Sequence, residues 1–293
     1  MNSLRPYDKP LFKALKILLA VAAYGFLAYK LITYKDYSSL LDTWNTLDLK
    51  RIGWFVCAIA LFPLNIFLEA AKWRFLLRDL APISITEAQR QVYCGFVGAF
   101  VTPYRVGDYP ARAMFLDDKV TIGKATVLGF VGGAALTLVI IVLGIFPTIY
   151  YLEQRPNLLW VILGSVLCLT FIFLAPRIIK TEFTFPSFLG TMGWSALRYL
   201  VFSFQLYAVL LFVGASISPL NALISIPVYY LLVTVTPNMP VADLGIRGSW
   251  AVLIFSRFAP IPIITLAVLL LYIINTILPT LVGSTLLYRQ PTK

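Results

Sequence analysis

The residues best suited to chemistry stand in two charged segments that proline and glycine interrupt. The first reads Phe100-Val-Thr102-Pro103-Tyr104-Arg105-Val-Gly107-Asp108-Tyr109-Pro110-Ala-Arg112, and the second reads Val235-Thr236-Pro237-Asn238-Met-Pro240-Val-Ala242-Asp243-Leu-Gly245-Ile-Arg247-Gly248. In each, a Thr-Pro stops the preceding helix, because proline lacks an amide donor and biases the residue before it away from helical conformation. Gly107 permits a tight turn, and Pro110 suits the first position of a new helix. Asp108 or Tyr109 then falls near its cap, with Arg112 in its first turn. The second segment repeats the order: Thr236-Pro237, then Gly245, then Arg247 where a helix begins again.

The chemistry such segments offer is anion binding. Helix amino termini, unwound backbone N–H groups and the guanidinium forks of Arg105, Arg112 and Arg247 can together hold a phosphate. Asp108 and Asp243 keep the site from carrying only positive charge, and either can contact a cationic headgroup or carry a coupling proton. Interrupted apolar segments recurring in both halves of a chain are what a transporter built from structural repeats shows, so a pseudo-two-fold repeat is expected, with halves about 14–150 and 157–288. The plain alternative for any one arginine is an interfacial side chain snorkelling to lipid phosphates.

Other polar residues extend the pattern. Arg198 sits inside the apolar run Trp194 to Phe212, where an unpaired charge is costly, so it must face a partner or water. Glu69 is a candidate partner for Arg198, for Lys72 or for Arg74, with snorkelling as the alternative. Asp117-Asp118 is the only adjacent acidic pair and can bind Mg²⁺ through oxygen, although a solvated loop explains it as well. Cys57, Cys94 and Cys168 lie singly in apolar runs and read as core residues, not metal ligands or a disulfide frame. With no histidine in the chain, His-ligated metals, His acid/base catalysis and the Ser-His triad are excluded, and no cofactor or metal is expected.

The elements that must position these residues are membrane helices. The 293 residues are 60% hydrophobic and 13% charged, with a mean hydropathy of +0.85, too apolar for a soluble domain. Uncharged stretches such as Ala125 to Leu152 and Phe258 to Tyr288 exceed the roughly 20 residues that cross a bilayer core. The expected fold is an all-α polytopic bundle forming one transmembrane domain over 1–293. Its spans fall at about 14–34, 52–71, 125–150, 157–176, 191–213, 218–236 and 262–288, making seven to eight in all. Gln91 to Val101 and Gly248 to Phe258 are too short to cross alone and read as half-helices or re-entrant segments beside the two broken motifs.

The net charge of +11 is scattered between apolar runs, which points to topology and anionic lipid and away from nucleic acid. Arg5, Lys9, Lys13 and Lys16 place the amino terminus in the cytoplasm before an uncleaved first span, and a polar loop from Lys72 to Arg90 falls on the same side.

Three patches resemble the transmembrane flippase-like family named after the lysylphosphatidylglycerol synthase membrane region, the lipid-moving half of the bacterial multiple peptide resistance factor. Glu69-Ala-Ala-Lys72-Trp73-Arg74 resembles that family's charged Arg-Trp stretch. Pro103-Tyr-Arg105-Val-Gly107-Asp108, followed by Arg112, resembles its Pro-x-Arg-x-Gly-Glu segment. Ala242-Asp243-Leu-Gly245-Ile-Arg247 resembles its Gly-Gly-Leu-Gly-Val-Arg-Glu segment, with Asp243 in place of a glycine and Gly248 where an acid usually follows. The resemblance implies a cytoplasmic (inner) membrane protein of a bacterium that moves a lipid between leaflets. It lacks any counterpart of the aminoacyl-transferase domain, so lipid lysylation is not expected.

The leading functional expectation is a standalone translocator of a phosphate-bearing lipid, an anionic phospholipid or a polyprenyl phosphate. An intramembrane enzyme acting on a lipid phosphate and a scaffold subunit of a lipid or envelope synthesis complex are the alternatives. No Walker A loop is present, so direct use of ATP is not expected.

Overall fold

In hydrocarbon every backbone N–H and C=O must find a partner within the protein, and the long apolar runs meet that demand as helices. The computed structural model describes residues 29, 32, 33, 48–151, 185–236 and 242–288, and among them there is no strand. In chain order the helices are α1 (Leu49–Leu77), α2 (Ile85–Val101), α3 (Asp108–Ala113), α4 (Lys119–Tyr151), α5 (Phe185–Phe212), α6 (Pro219–Val235), α7 (Asp243–Phe255), α8 (Ile261–Tyr272) and α9 (Leu278–Tyr288). A 3₁₀ turn, Pro103–Arg105, separates α2 from α3, and a π turn, Ile273–Ile277, joins α8 to α9.

Four helical runs among the described residues are long and apolar enough to cross a membrane: Leu49–Leu77, Lys119–Ile149, Pro186–Phe212 and Ile261–Tyr288. They occupy the spans expected at about 52–71, 125–150, 191–213 and 262–288. The expected spans at about 14–34 and 157–176 lie outside the described residues. The segment expected at 218–236 is the 17-residue α6, about 25 Å long and slightly short of a ~30 Å hydrocarbon core.

Local signals set the helix ends. Ser84 caps α2 by accepting the Glu87 N–H at 3.1 Å, the Ser-x-x-Glu pattern of a capping box. This start is why α2 begins well before the apolar piece read from Gln91. Ser218, followed by Pro219, caps α6 in the same way. Asp118 opens α4, accepting the N–H groups of Val120 and Thr121 at 2.9 Å each. The Thr121 hydroxyl and these N–H groups hold its carboxyl below the usual range. Helix capping is therefore the role that the structure gives this member of the Asp117-Asp118 pair.

The polar stretch read as a loop from Lys72 to Arg90 is largely helical. Helix α1 runs through Lys72 and Arg74 to Leu77, and only residues 78–84 separate it from α2. Lys72 is 2% exposed, so its charge serves Glu69 and not a cytoplasmic loop. Arg74 is exposed.

Helices α1 and α5 run antiparallel. Near the start of α1, Arg51 Nε donates to the Phe212 carbonyl at 2.9 Å; further along, Gln205 Nε2 donates to the Ala58 carbonyl at 2.8 Å; beyond the end of α1, Arg78 Nη2 donates to Ser187 Oγ at 2.8 Å. Helix α4 packs along α6, α2 along α9, and α7 against α8. Polar side chains such as Asn65, Gln91, Gln205 and Ser225 are buried, whereas Val56, Phe67, Phe146, Leu200 and Leu223 are exposed. Large apolar side chains on the exterior suit lipid as the surrounding solvent, and these buried polar groups find partners inside a largely apolar core.

Close approach of α3 to α2 depends on glycine. A Cβ on Gly95 would collide with Asp108, and one on Gly98 with the Gly107 carbonyl. Gly98→Ala should lower stability by about 1–3 kcal/mol through overpacking, whereas Gly53→Ala, with nothing within 4 Å, should leave it unchanged or slightly raised. Thermal unfolding of the purified variants in detergent checks both.

Candidate functional site

Glu69 lies in α1, 1% exposed, and binds three cations from three different positions. Its Oε1 accepts from Arg112 Nη1 at 2.6 Å; its Oε2 accepts from Arg198 Nη1 at 2.6 Å and Lys72 Nζ at 2.9 Å. Arg112 also donates through Nε and Nη2 to the two Asp108 oxygens, at 2.7 and 3.0 Å. This bidentate pairing fixes the guanidinium plane. The guanidinium lies 5.0 Å from the Tyr109 ring centroid and 5.7 Å from that of Trp73. Trp73 is itself anchored to Gln91 by a 2.7 Å indole hydrogen bond. Arg198 Nε reaches Asn65 Oδ1 at 2.9 Å. The requirement that Arg198 find a partner is thus met by two residues of α1, and Glu69 joins it, Lys72 and Arg112 but not the exposed Arg74.

The second broken segment carries the same local pair. Arg247 Nε donates to Asp243 Oδ1 at 2.7 Å, as Arg112 Nε does to Asp108 Oδ1 at 2.7 Å, with the same i,i+4 spacing and with aspartate as the first helical residue in both. Arg247 also lies by the Tyr229 hydroxyl. A threonine precedes each break and plays the same part. Thr102 Oγ1 donates to the Gly98 carbonyl at 2.6 Å and accepts the Gly107 N–H at 2.8 Å. Thr236 Oγ1 donates to the Leu232 carbonyl at 2.7 Å and accepts the Trp250 indole N–H at 2.9 Å. Each hydroxyl ties off the preceding helix and anchors what lies beyond the break.

Around these groups lies a cavity of about 500 Å³. Glu69, Arg105, Asp108, Arg112, Arg198 and Arg247 all line it, while Asp243 lines a small adjoining pocket with Arg105 and Tyr104. Arg198, Asn275 and Gly133, which also line it, fall near the middles of their long helices, about 20 Å from either end at 1.5 Å per residue. Arg105 stands apart from the other arginines. Its guanidinium sits 5.6 Å from the Phe96 ring centroid and has no carboxylate partner among the described residues.

Several local expectations are corrected. Gly107, expected to permit a tight turn, has an ordinary φ of −74° and not a left-handed one. Tyr104 (φ 54°) and Arg105 (φ 57°) take that conformation instead. Such strain costs of order 1–3 kcal/mol at each non-glycine residue and is often kept at functional positions. Glycine is needed at 107 for close approach, since a Cβ there would meet the Gly98 carbonyl and the Thr102 side chain. Helix α3 begins at Asp108, which puts Pro110 third and Arg112 in the last turn of a six-residue helix. Asp108 and Asp243 each stand in the first turn of their helix, α3 and α7, where a negative charge is favoured. Pro103 opens the 3₁₀ turn and Gly245 lies within the first turn of α7. Pro237 lies outside the described residues.

Other residues at the site were not singled out from sequence. Tyr109 packs its ring against Gly129 and Gly133, where any Cβ would strike it. Asn275 sits in the π turn, donating to Gln205 at 2.8 Å, and its Oδ1 is buried without a hydrogen-bond partner among the described residues. Tyr229, Tyr230 and Thr276 are among the further polar residues of the lining. The available signals were an Asp-x-x-x-Arg spacing common to both segments, a Gly-x-x-x-Gly at 129–133, and polar residues within apolar runs.

No protein-family model matches the chain, and none of the curated proteins matches it in sequence.

Removing Glu69 takes a counter-charge from three cations, of which, among the described residues, Arg112 keeps a carboxylate in Asp108 while Lys72 and Arg198 do not. Glu69→Gln should cost about 3–5 kcal/mol of stability, as breaking a buried ion pair does. Arg198→Met should cost less, because Glu69 keeps Lys72 and Arg112 and Arg198 is the more exposed partner. Denaturant unfolding of both variants in detergent measures the difference.

Proposed function

We propose that this protein is a lipid translocator: a phosphate-bearing headgroup enters the cavity while its hydrocarbon chains stay in the bilayer. The observation that carries this reading is the placement of Arg105, Arg112, Arg198 and Arg247 around one cavity at mid-helix depth, beside two interrupted segments with matching Asp-Arg pairs. Transporter sites commonly lie at such depth beside discontinuous helices. The headgroup exchanges its water shell for guanidinium donors, which lowers the cost of carrying charge through hydrocarbon.

The likeness of the Glu69, Arg105 and Arg247 patches to the lysylphosphatidylglycerol synthase membrane family supports the same reading. In this proposal the chain forms one bundle of seven to eight spans in two related halves. It lies in a bacterial cytoplasmic membrane with its amino terminus in the cytoplasm, and its ligand is an anionic phospholipid or a polyprenyl phosphate.

Leaflet exchange of fluorescent phospholipids and of a polyprenyl phosphate in liposomes tests the proposal. Arg105→Ala and Arg247→Ala, each checked for folding by gel filtration, should slow exchange by about tenfold or more, the loss of one charge-assisted hydrogen bond. Wild-type exchange by both variants would rule out the assignment.

A further inference from the structure

Among the described residues, the proposed site does not balance its own charge. Arg105, Arg112, Arg198 and Arg247 line the cavity, and Lys72 backs it through Glu69; opposite them stand Glu69, Asp108 and Asp243. Among the described residues, two positive charges are left over. Their locations are identifiable. Arg247 is matched by Asp243. Lys72, Arg112 and Arg198 share the two carboxylates Glu69 and Asp108, leaving one charge in excess. Of these three, the Lys72 and Arg112 side chains are only 2% and 3% exposed, whereas that of Arg198 is 18% exposed, so the excess presents itself to the cavity at Arg198. Arg105 supplies the second charge outright.

Uncompensated charge far from bulk water is costly. The occupant that removes the cost carries two negative charges. We infer, building on the translocator reading, that the cavity selects a lipid phosphate that is a dianion, such as a phosphomonoester on a diacylglycerol or a polyprenol, over monoanionic phosphodiesters and zwitterionic headgroups. A phosphomonoester also offers three acceptor oxygens to Arg105, Arg198 and the hydroxyl groups of the lining. A diester leaves one of the two cations unanswered, and a zwitterion leaves both.

Competition binding tests this with the full-length protein in phosphatidylcholine nanodiscs at about pH 8, where a phosphomonoester holds both charges. The probes are phosphatidate, polyprenyl monophosphate, phosphatidylglycerol and inorganic phosphate. At least one monoester lipid should bind about tenfold or more tightly than phosphatidylglycerol, and the stronger of the two identifies the hydrocarbon chain. Arg105→Gln, at a half-buried position without an ion-pair partner among the described residues, should bring that ratio close to one with the unfolding temperature unchanged. Equal binding of phosphatidylglycerol and both monoesters, with lipid exchange intact, would overturn the charge selection and leave translocation standing. Binding of inorganic phosphate with no monoester lipid bound would overturn the lipid as ligand. A protein that neither binds nor moves any of these lipids would refute both readings.

Discussion

The arrangement depends on one carboxylate. Glu69 lies in a helix long and apolar enough to cross a membrane, a setting in which a lone charge is not tolerated, and it is stabilised by cations from its own helix, from α3 and from α5. Attraction is strong there because competing water is scarce, and each of the three donors is within 3 Å. The same contacts fix where α3 can lie. That short helix has little apolar surface of its own, and Arg112 anchors it to α1 while Gly95 and Gly98 let its backbone settle against α2.

Backbone irregularity gathers where the cavity is. The left-handed pair Tyr104-Arg105 and the π turn with Asn275 and Thr276 both contribute to its lining. Non-helical backbone at membrane depth persists only where protein or a water-filled space satisfies it, and the hydroxyls of Thr102 and Thr236 meet part of that demand. Interruptions of this kind also turn side chains inward that a continuous helix would direct elsewhere. Arg105 reaches the cavity from just such a turn.

The helical, membrane-suited character of the chain was legible because it follows from long uncharged runs, which depend on composition alone. The two broken segments were legible as well, since Thr-Pro and nearby Gly mark interruptions wherever they fall. The interior of the site was less so. Lys72 looked like a loop residue because charge is the usual sign of a loop, and only the proximity of Glu69 one turn earlier explains its burial. Gly107 was read as permitting a tight turn, yet Tyr104 and Arg105 take the left-handed conformation while Gly107 serves close packing. Gly95, Gly98, Gly129 and Gly133 matter through what packs against them, and the Gly-x-x-x-Gly spacing at 129–133 marks a close approach without naming Tyr109 as its partner. The Asp-x-x-x-Arg spacing was present in both segments, and its meaning emerged only with both aspartates at helix starts.

The short-range pairs also bear on how such a chain enters a bilayer. Glu69 with Lys72, Asp108 with Arg112 and Asp243 with Arg247 each lie within about one helical turn, so each segment can bring its own counter-charge as it is inserted. Arg198 differs, because α5 contains no acidic residue. Its partners, Asn65 and Glu69, belong to a helix synthesised earlier. The counter-charge of α5 thus comes from α1, so the contacts of Arg198 tie the insertion of a later helix to the presence of an earlier one.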